Sequence, residues 1–315
     1  FVAMVIIAFI PPTLIKRATP LLYIIGIVAL LLLFVIGVEV KGAVRWLDLK
    51  VFRFQPSEVA KLATPMMIAY YLDRSPLPPT LFRSIVTLLI LLIPFSLVFM
   101  QPDLGTAIVI VYSAAAALFL AGFFWRYILI IIAILAISLP LYWHYGMKPY
   151  QKDRVVTFLN PESDPLGKGY QIIQSKTAIG SGGLYGKGWQ NSTQASLKFL
   201  PESTTDFIYA ITAEEFGLMG TSLLLGIYLL IIIRSFYIAS RGRDNYFRLI
   251  GGTICLSLFF YIFVNAGMVS GLLPIVGIPL PFISYGGTSI VTLFISFGIL
   301  MNIYSHQKPN IKRIF

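Results

Sequence analysis

Apolar runs close to the length needed to cross a bilayer recur along this chain, at about 21–38, 56–72, 84–100, 105–123, 126–143, 207–233, 248–270 and 286–304. A helix rises 1.5 Å per residue, so about 20 such residues span the ~30 Å hydrocarbon core. Within lipid only helices and closed barrels satisfy their own backbone groups. The runs are continuous, whereas barrel strands alternate over about ten residues, so the pattern predicts an all-α polytopic membrane protein, a helical bundle. Charged residues make up only 12% of the chain and the mean hydropathy is +0.84, which excludes a soluble domain of this size. The stretch Phe1–Ile10, ahead of Pro11-Pro12, is half a span and reads as the tail of a helix that starts outside this sequence. It lacks the basic start and cleavage site of a signal peptide.

Basic residues give the orientation. Lys16, Arg17, Arg74, Arg83, Arg126, Arg234, Arg241, Arg243, Arg248, Lys308, Lys312 and Arg313 fall on one side of the alternating spans. Only Lys41, Arg45, Lys50 and Arg53 fall in the short loops of the other. The positive-inside rule then places the C-terminus in the cytoplasm, and the long loop 144–205 outside with the charged loop Glu39–Arg53. The net charge of +11 favours anionic partners, lipid headgroups or a phosphate-bearing substrate. Cys255 is the single cysteine, so no intrachain disulfide can form.

Charges that membranes do not keep cheaply mark the candidate site. The run Leu200–Asp206 ends the long loop and leads into the helix expected from Phe207. Thr204 or Thr205 can cap that helix, and Asp206 falls in its first turn, at the positive end of the dipole. Ala210, Ala213, Gly217 and Gly220 continue the same face as a stripe of small residues. Glu58 and Lys61, three apart, can pair on one helix face, with Pro65 further along it. Asp103, in Gln101-Pro102-Asp103-Leu104-Gly105, again stands at a helix start. Each feature has a plain structural reading, as a cap or a self-neutralised pair. Together, three acids and a lysine at one depth read as the wall of a polar cavity. Of Glu214 and Glu215, at least one needs a partner from a neighbouring helix.

The long loop is basic, and Gly180–Trp189 invites a phosphate-loop reading that fails on spacing: a Walker loop needs glycine at Ser181 and a hydroxyl at Gly188. It reads as flexible backbone that orders over a ligand, or as a linker. Ile172, Ile173, Lys176 and Ile179 recur at helical spacing and predict a short helix on the membrane surface over Tyr170–Ile179. His144 and His306 stand apart from any cysteine or second histidine, which argues against zinc. Gly271–Gly287 has too many prolines and glycines for a helix, yet is apolar, and predicts a re-entrant or surface-hugging loop.

Several of these stretches also form a recognisable set. Pro161-Glu162-Ser163-Asp164-Pro165-Leu166-Gly167, Gly169–Ser175, Phe199-Leu200-Pro201-Glu202 with Thr205-Asp206-Phe207-Ile208, and Leu273–Pro281 with Ser284-Tyr285-Gly286-Gly287 resemble the SEDS family of shape, elongation, division and sporulation proteins. Ala178–Gly183 and Gly186–Trp189 resemble its RodA-like elongation branch more than its division branch. The resemblance covers almost the whole chain. It implies ten spans, with the first missing here and the second truncated, in one membrane domain over 1–315. It further implies a peptidoglycan glycosyltransferase in the bacterial inner membrane that polymerises lipid II into glycan strands during elongation. Such an enzyme works with a class B penicillin-binding protein and other elongasome proteins, among membrane lipids and without nucleic acid.

The family's essential acid falls on Asp206, its Gln-Pro-Ser-Glu-x-x-Lys motif on Glu58 and Lys61, and its Gln-Pro-Asp-Leu-Gly motif on Asp103. The implied chemistry is an inverting transfer with Asp206 as general base. Lys61, Arg45 and Lys187, or a divalent cation such as Mg or Mn, would neutralise the leaving diphosphate. A lipid II flippase and a noncatalytic scaffold that activates a penicillin-binding protein are the rival readings.

Overall fold

The computed structural model describes residues 1–40, 43–48, 50, 53–123, 129, 133–134, 136–138, 140–147, 149–164, 169–197 and 199–307. Most of the span expected at 126–143 lies outside these residues, with Lys41, Arg126, Lys148, Pro165–Lys168, Lys198 and the basic tail from Lys308. The chain divides into two compact units. One comprises Phe1–Phe123, Ile231–Leu258 and Gly287–Phe315; the other comprises Phe124–Leu230 and Phe259–Gly286.

In the first unit the helices follow the apolar runs: α1 (Val2–Phe9), α2 (Pro12–Ile36), α3 (Pro56–Leu72), α4 (Leu81–Met100) and α5 (Leu104–Leu120). Later come α6 (Pro149–Leu159), α7 (Tyr170–Gly182), the four-residue α8 (Thr193–Ser196), α9 (Ile208–Ser240), α10 (Asn245–Val269) and α11 (Gly287–Ser305). Among the described residues α2, α4, α9, α10 and α11 are long and apolar enough to cross a membrane, and α5 is apolar but shorter. The protein is a polytopic helical membrane protein.

Helix α3 is buried along most of its length. Ala60, Ala63, Met66, Ile68, Ala69 and Leu72 are buried along it, and it packs against α2, α4, α5 and α11. Alanines on α3 and on α5 (Ala107, Ala114, Ala117) let helix backbones approach closely, the way bundles cohere in lipid. At one end, Lys16 on α2 bridges Asp73 at 2.5 Å and Asp244 at 3.0 Å. Those two carboxylates also accept from Tyr246 N and Phe247 N in the first turn of α10, so one lysine ties three helix ends. Asn302 on α11 donates to the carbonyls of Ile7, Ala8 and Ile10, satisfying the C-terminal end of α1.

The charged loop over Glu39–Arg53 is not irregular. It holds an antiparallel sheet in the order β1 (Val38–Val40), β2 (Ala43–Asp48), β3 (Arg53–Phe54). The period of two puts Arg45 and Leu47 on the same face. Leu47 is buried in the bundle's apolar core, which aims Arg45 at the start of α5.

In the second unit α7 extends the expected short helix, but not on a membrane surface. Its Ile172, Ser175 and Ala178 face is buried, and Ser175 Oγ donates to Val269 O at 2.9 Å. Ala178 joins Leu200, Phe207, Ala210, Ile211, Met268 and Val269 in a small apolar core. With that face spent on protein, α7 has none left for lipid.

Helix α9 is broken at Gly217 (φ 66°, ψ −164°). The gap admits backbone hydrogen bonds from the glycine-rich stretch. Lys187 N and Gly188 N donate to the carbonyls of Glu214 and Glu215, while Leu218 N and Met219 N donate to those of Gly183 and Leu184. The stretch expected to order over a ligand is therefore already ordered, against the break in α9. The same break interrupts the small-residue face beyond Ala210 and Ala213.

Candidate active site around Asp206

Asp206 lies in a run of turns over Pro201–Phe207, just ahead of α9 and not within its first helical turn. The threonines do not cap the helix as expected. Thr205 N and Phe207 N both donate to Glu202 O, and Thr205 Oγ1 donates to the Glu202 carboxylate at 2.9 Å. The turn folds on itself and leaves three successive carbonyls pointing outward. Each is met from the segment 265–285: Thr204 O by Tyr285 N at 2.9 Å, Thr205 O by Ser284 Oγ at 2.6 Å, and Asp206 O by Asn265 Nδ2 at 3.0 Å.

Asn265 belongs to α10, and beyond Val269 that segment is the proline- and glycine-rich stretch after the helix, which hugs protein. Ile278, Leu280, Pro281 and Ser284 are buried, Ser284 Oγ also accepts from Leu280 N, and Tyr228 on α9 donates to Pro281 O. Gly277 faces the acid directly. A Cβ there would stand 3.4 Å from Asp206 Oδ2, and the glycine's φ of 75° already disfavours any side chain. The outcome is a half-buried carboxylate on a rigid backbone, with its neighbour trimmed to hydrogen.

Glu214, two turns beyond Asp206, is fully buried, and its partners come from the long loop: Lys187, and Ser192 with the first residues of the short helix α8. Lys187 Nζ lies 2.6 Å from Oε1, Thr193 donates through both N and Oγ1, and Ser192 Oγ and Gln194 N donate to Oε2. Lys187 thus meets a carboxylate of its own unit as well as Thr193 Oγ1. Glu215 is partly exposed.

The remaining candidates lie in the first unit and form two pairs. Lys61 Nζ is 2.6 Å from Glu58 Oε1, the expected neutralisation across one turn of α3. Asp103 caps α5, accepting from Thr106 N at Oδ1 and from Thr106 Oγ1 at Oδ2, and Arg45 Nε lies 3.5 Å from that same Oδ2. Capping and ion pairing are both met by this one carboxylate. Among the described residues no three His, Cys, Asp or Glu side chains gather closely enough to hold a metal ion.

Sequence reasoning passed over Asn265, Ser284 and Tyr228. The signal for Asn265 was available: a lone amide in Phe263-Val264-Asn265-Ala266 is too costly in an apolar helix to stand without a partner.

A family model for cell cycle proteins of the FtsW, RodA and SpoVE type matches residues 1–309. The chain belongs to this family. Among its FtsW/RodA/SpoVE relatives, the peptidoglycan glycosyltransferase MrdB of Escherichia coli K12 is 50% identical over 307 residues, covering 98% of this chain and 83% of the relative. The peptidoglycan glycosyltransferase RodA of Treponema pallidum is 34% identical, covering 93% and 84%. A solved structure described as the coordination of polymerization and crosslinking by a peptidoglycan synthase complex superposes with a TM-score of 0.84 at 30% identity, covering 98% of this chain and 87% of that one. The crystal structure of the rod shape determining protein RodA of Thermus thermophilus superposes at 0.71 with 26% identity, covering 97% and 84%.

Proposed function

We propose that this protein is a peptidoglycan glycosyltransferase that polymerises lipid II into glycan strands during cell elongation. The observation that carries the reading is the half identity, over nearly the whole chain, to a relative named for that activity. The membrane bundle supplies what the substrate needs, since its prenyl tail stays in lipid while its sugars react at the surface.

Asp206 is the general base. Joining sugars by a β-1,4 bond from an α-linked lipid diphosphate inverts the anomeric carbon, so one displacement with one base suffices. The carboxylate takes the proton of the attacking 4-hydroxyl, a role worth about 10²–10⁴-fold. The C–O bond to the diphosphate breaks as the new bond forms, and the lipid diphosphate departs with its negative charge. Its geometry supports this role: a turn fixed through three carbonyls, with the left-handed Gly277 lying beside the carboxylate. Lys187, in the same unit as Asp206 and with 30% of its side chain exposed, is the cation assigned to the leaving group. The protein sits in the bacterial inner membrane with its C-terminus in the cytoplasm and Asp206 outside, beside a class B penicillin-binding protein that cross-links the product.

Purified protein supplied with labelled lipid II, alone and with its penicillin-binding partner, tests the reading. Glycan chains from the native protein, and a rate about 10²–10⁴-fold lower from Asp206→Asn, are expected. Lipid moved across a vesicle membrane without chains would mean a flippase. Chains made at the normal pace by Asp206→Asn beside the partner would mean a scaffold.

A further inference from the structure

Asn265 is fully buried in α10, in an otherwise apolar stretch. Its Nδ2 donates twice, to Asp206 O at 3.0 Å and to Ile278 O at 2.7 Å. Its Oδ1 is buried with no hydrogen-bond partner. Turning the amide over would set that oxygen against two carbonyls, so the surroundings fix which end donates. An orphaned acceptor in an apolar interior is unfavourable, and an aliphatic side chain of similar size would avoid it. What the asparagine gains in return is one particular join. Its two acceptors lie on the two segments that frame the Asp206 carboxylate: the turn that carries the acid, and the loop whose Gly277 faces it.

We infer that Asn265 is a positioning residue for Asp206. By holding the Asp206–Phe207 peptide and the Ile278 carbonyl on one amide, it sets the direction of the carboxylate and the clearance over Gly277 together. Ser284 and Tyr285 hold the two preceding carbonyls, but neither reaches the peptide that the acid itself begins. Displacement of a reacting group by about 1 Å can cost on the order of 10²-fold in rate, which makes such a join worth its orphaned oxygen. The inference rests on the reading of Asp206 as the base.

The test is steady-state polymerisation of lipid II by the full chain with its penicillin-binding partner, comparing native protein, Asn265→Leu, Asp206→Asn and the double variant. Asn265→Leu is expected to lower kcat by about 10- to 100-fold. KM should stay within about twofold, while the thermal midpoint should fall modestly, because leucine relieves the orphaned oxygen but withdraws the donor from the carbonyls of Asp206 and Ile278. Amide exchange should quicken over residues 204–210 and around Ile278 and not elsewhere. In the Asp206→Asn background the Asn265 change should cost nothing further, since it acts through that acid.

An unchanged kcat, or a KM that worsens in step with the loss of kcat, would overturn the inference. So would losses that multiply in the double variant. If Asn265→Leu does not accumulate in the membrane, Asn265→Ser, smaller and with one donor, is read by the same criteria. Normal polymerisation by Asp206→Asn alone is a separate result: it removes the base assignment, whatever Asn265 does.

Discussion

Glu58 and Lys61 meet at 2.6 Å on one face of α3, with side chains 7% and 9% exposed. Breaking a buried pair from one side leaves an uncompensated charge and costs about 3–5 kcal/mol, whereas replacing both partners by apolar groups is often neutral. Lys61→Ala is therefore expected to lower the thermal stability of the detergent-solubilised protein and to stop polymerisation. Glu58→Ala combined with Lys61→Ala should restore the melting transition but not the activity. Full activity in the double variant would make the pair a structural clasp only.

Glu214 should act as the anchor of the segment from Lys187 to Gln194. Hydrogen bonds to a charged group are each worth about 1.5–3 kcal/mol when buried. Glu214→Ala removes several at once and strands the amides of Thr193 and Gln194. Lys187, with 30% of its side chain exposed, can turn to water, so the loss should fall mainly on the loop. Hydrogen exchange is expected to quicken over 187–197 while the apolar core of Ala178, Phe207 and Ala210 keeps its protection. Unchanged exchange in that segment would show that apolar contacts hold it instead.

Gly217→Ala should be among the most damaging single changes in the second unit. The position needs a φ of 66°, and a Cβ would lie 2.4 Å from Gly186 N and 2.6 Å from Leu184 O. Both neighbours are backbone, so no side chain can swing aside, and the penalty should exceed the roughly 1–3 kcal/mol of a strained backbone alone. Gly180→Ala is the matched control. It stands inside α7 with open space where its Cβ would go, and should stabilise by up to about 1 kcal/mol. Thermal melts of the two variants should move in opposite directions.

The contrast between these two glycines shows what was legible in the sequence. Long apolar runs fixed the helices well; α3 spans 56–72 as read, because Pro56 and Asp73 punctuate it locally. Pairs three residues apart, such as Glu58 and Lys61, were equally legible, since helical geometry alone brings them together. Gly217 was misread as one more small residue on a face. The backbone pairing that requires its left-handed φ comes from residues 183–188, and nothing next to it in sequence announces that partner. Glu214 was seen to need a partner from a helix, and it finds two in the four-residue α8 of the long loop, with Lys187 and Ser192 beside them. The short strands around Arg45 were hidden because charge dominates a stretch whose two-residue alternation lasts only a few positions. Asp206 was legible as a type of residue in a type of place. The carbonyl contacts that hold it come from about 60 and 80 residues away.

Orientation can be read by placing one cysteine at Ser181. The position is exposed in the last turn of α7, and its hydroxyl bonds only locally, to Ala178 O. The native Cys255 is buried, so background labelling should be low without removing it. The charge bias among the short loops puts this stretch outside the cytoplasm. A membrane-impermeant maleimide applied to intact spheroplasts should therefore label Ser181→Cys at once, with little further labelling after lysis. Labelling that appears only after lysis would reverse the topology. It would also place Asp206 on the wrong side for growing chains, because α7 and the Asp206 turn share one apolar core through Ala178, Leu200 and Phe207.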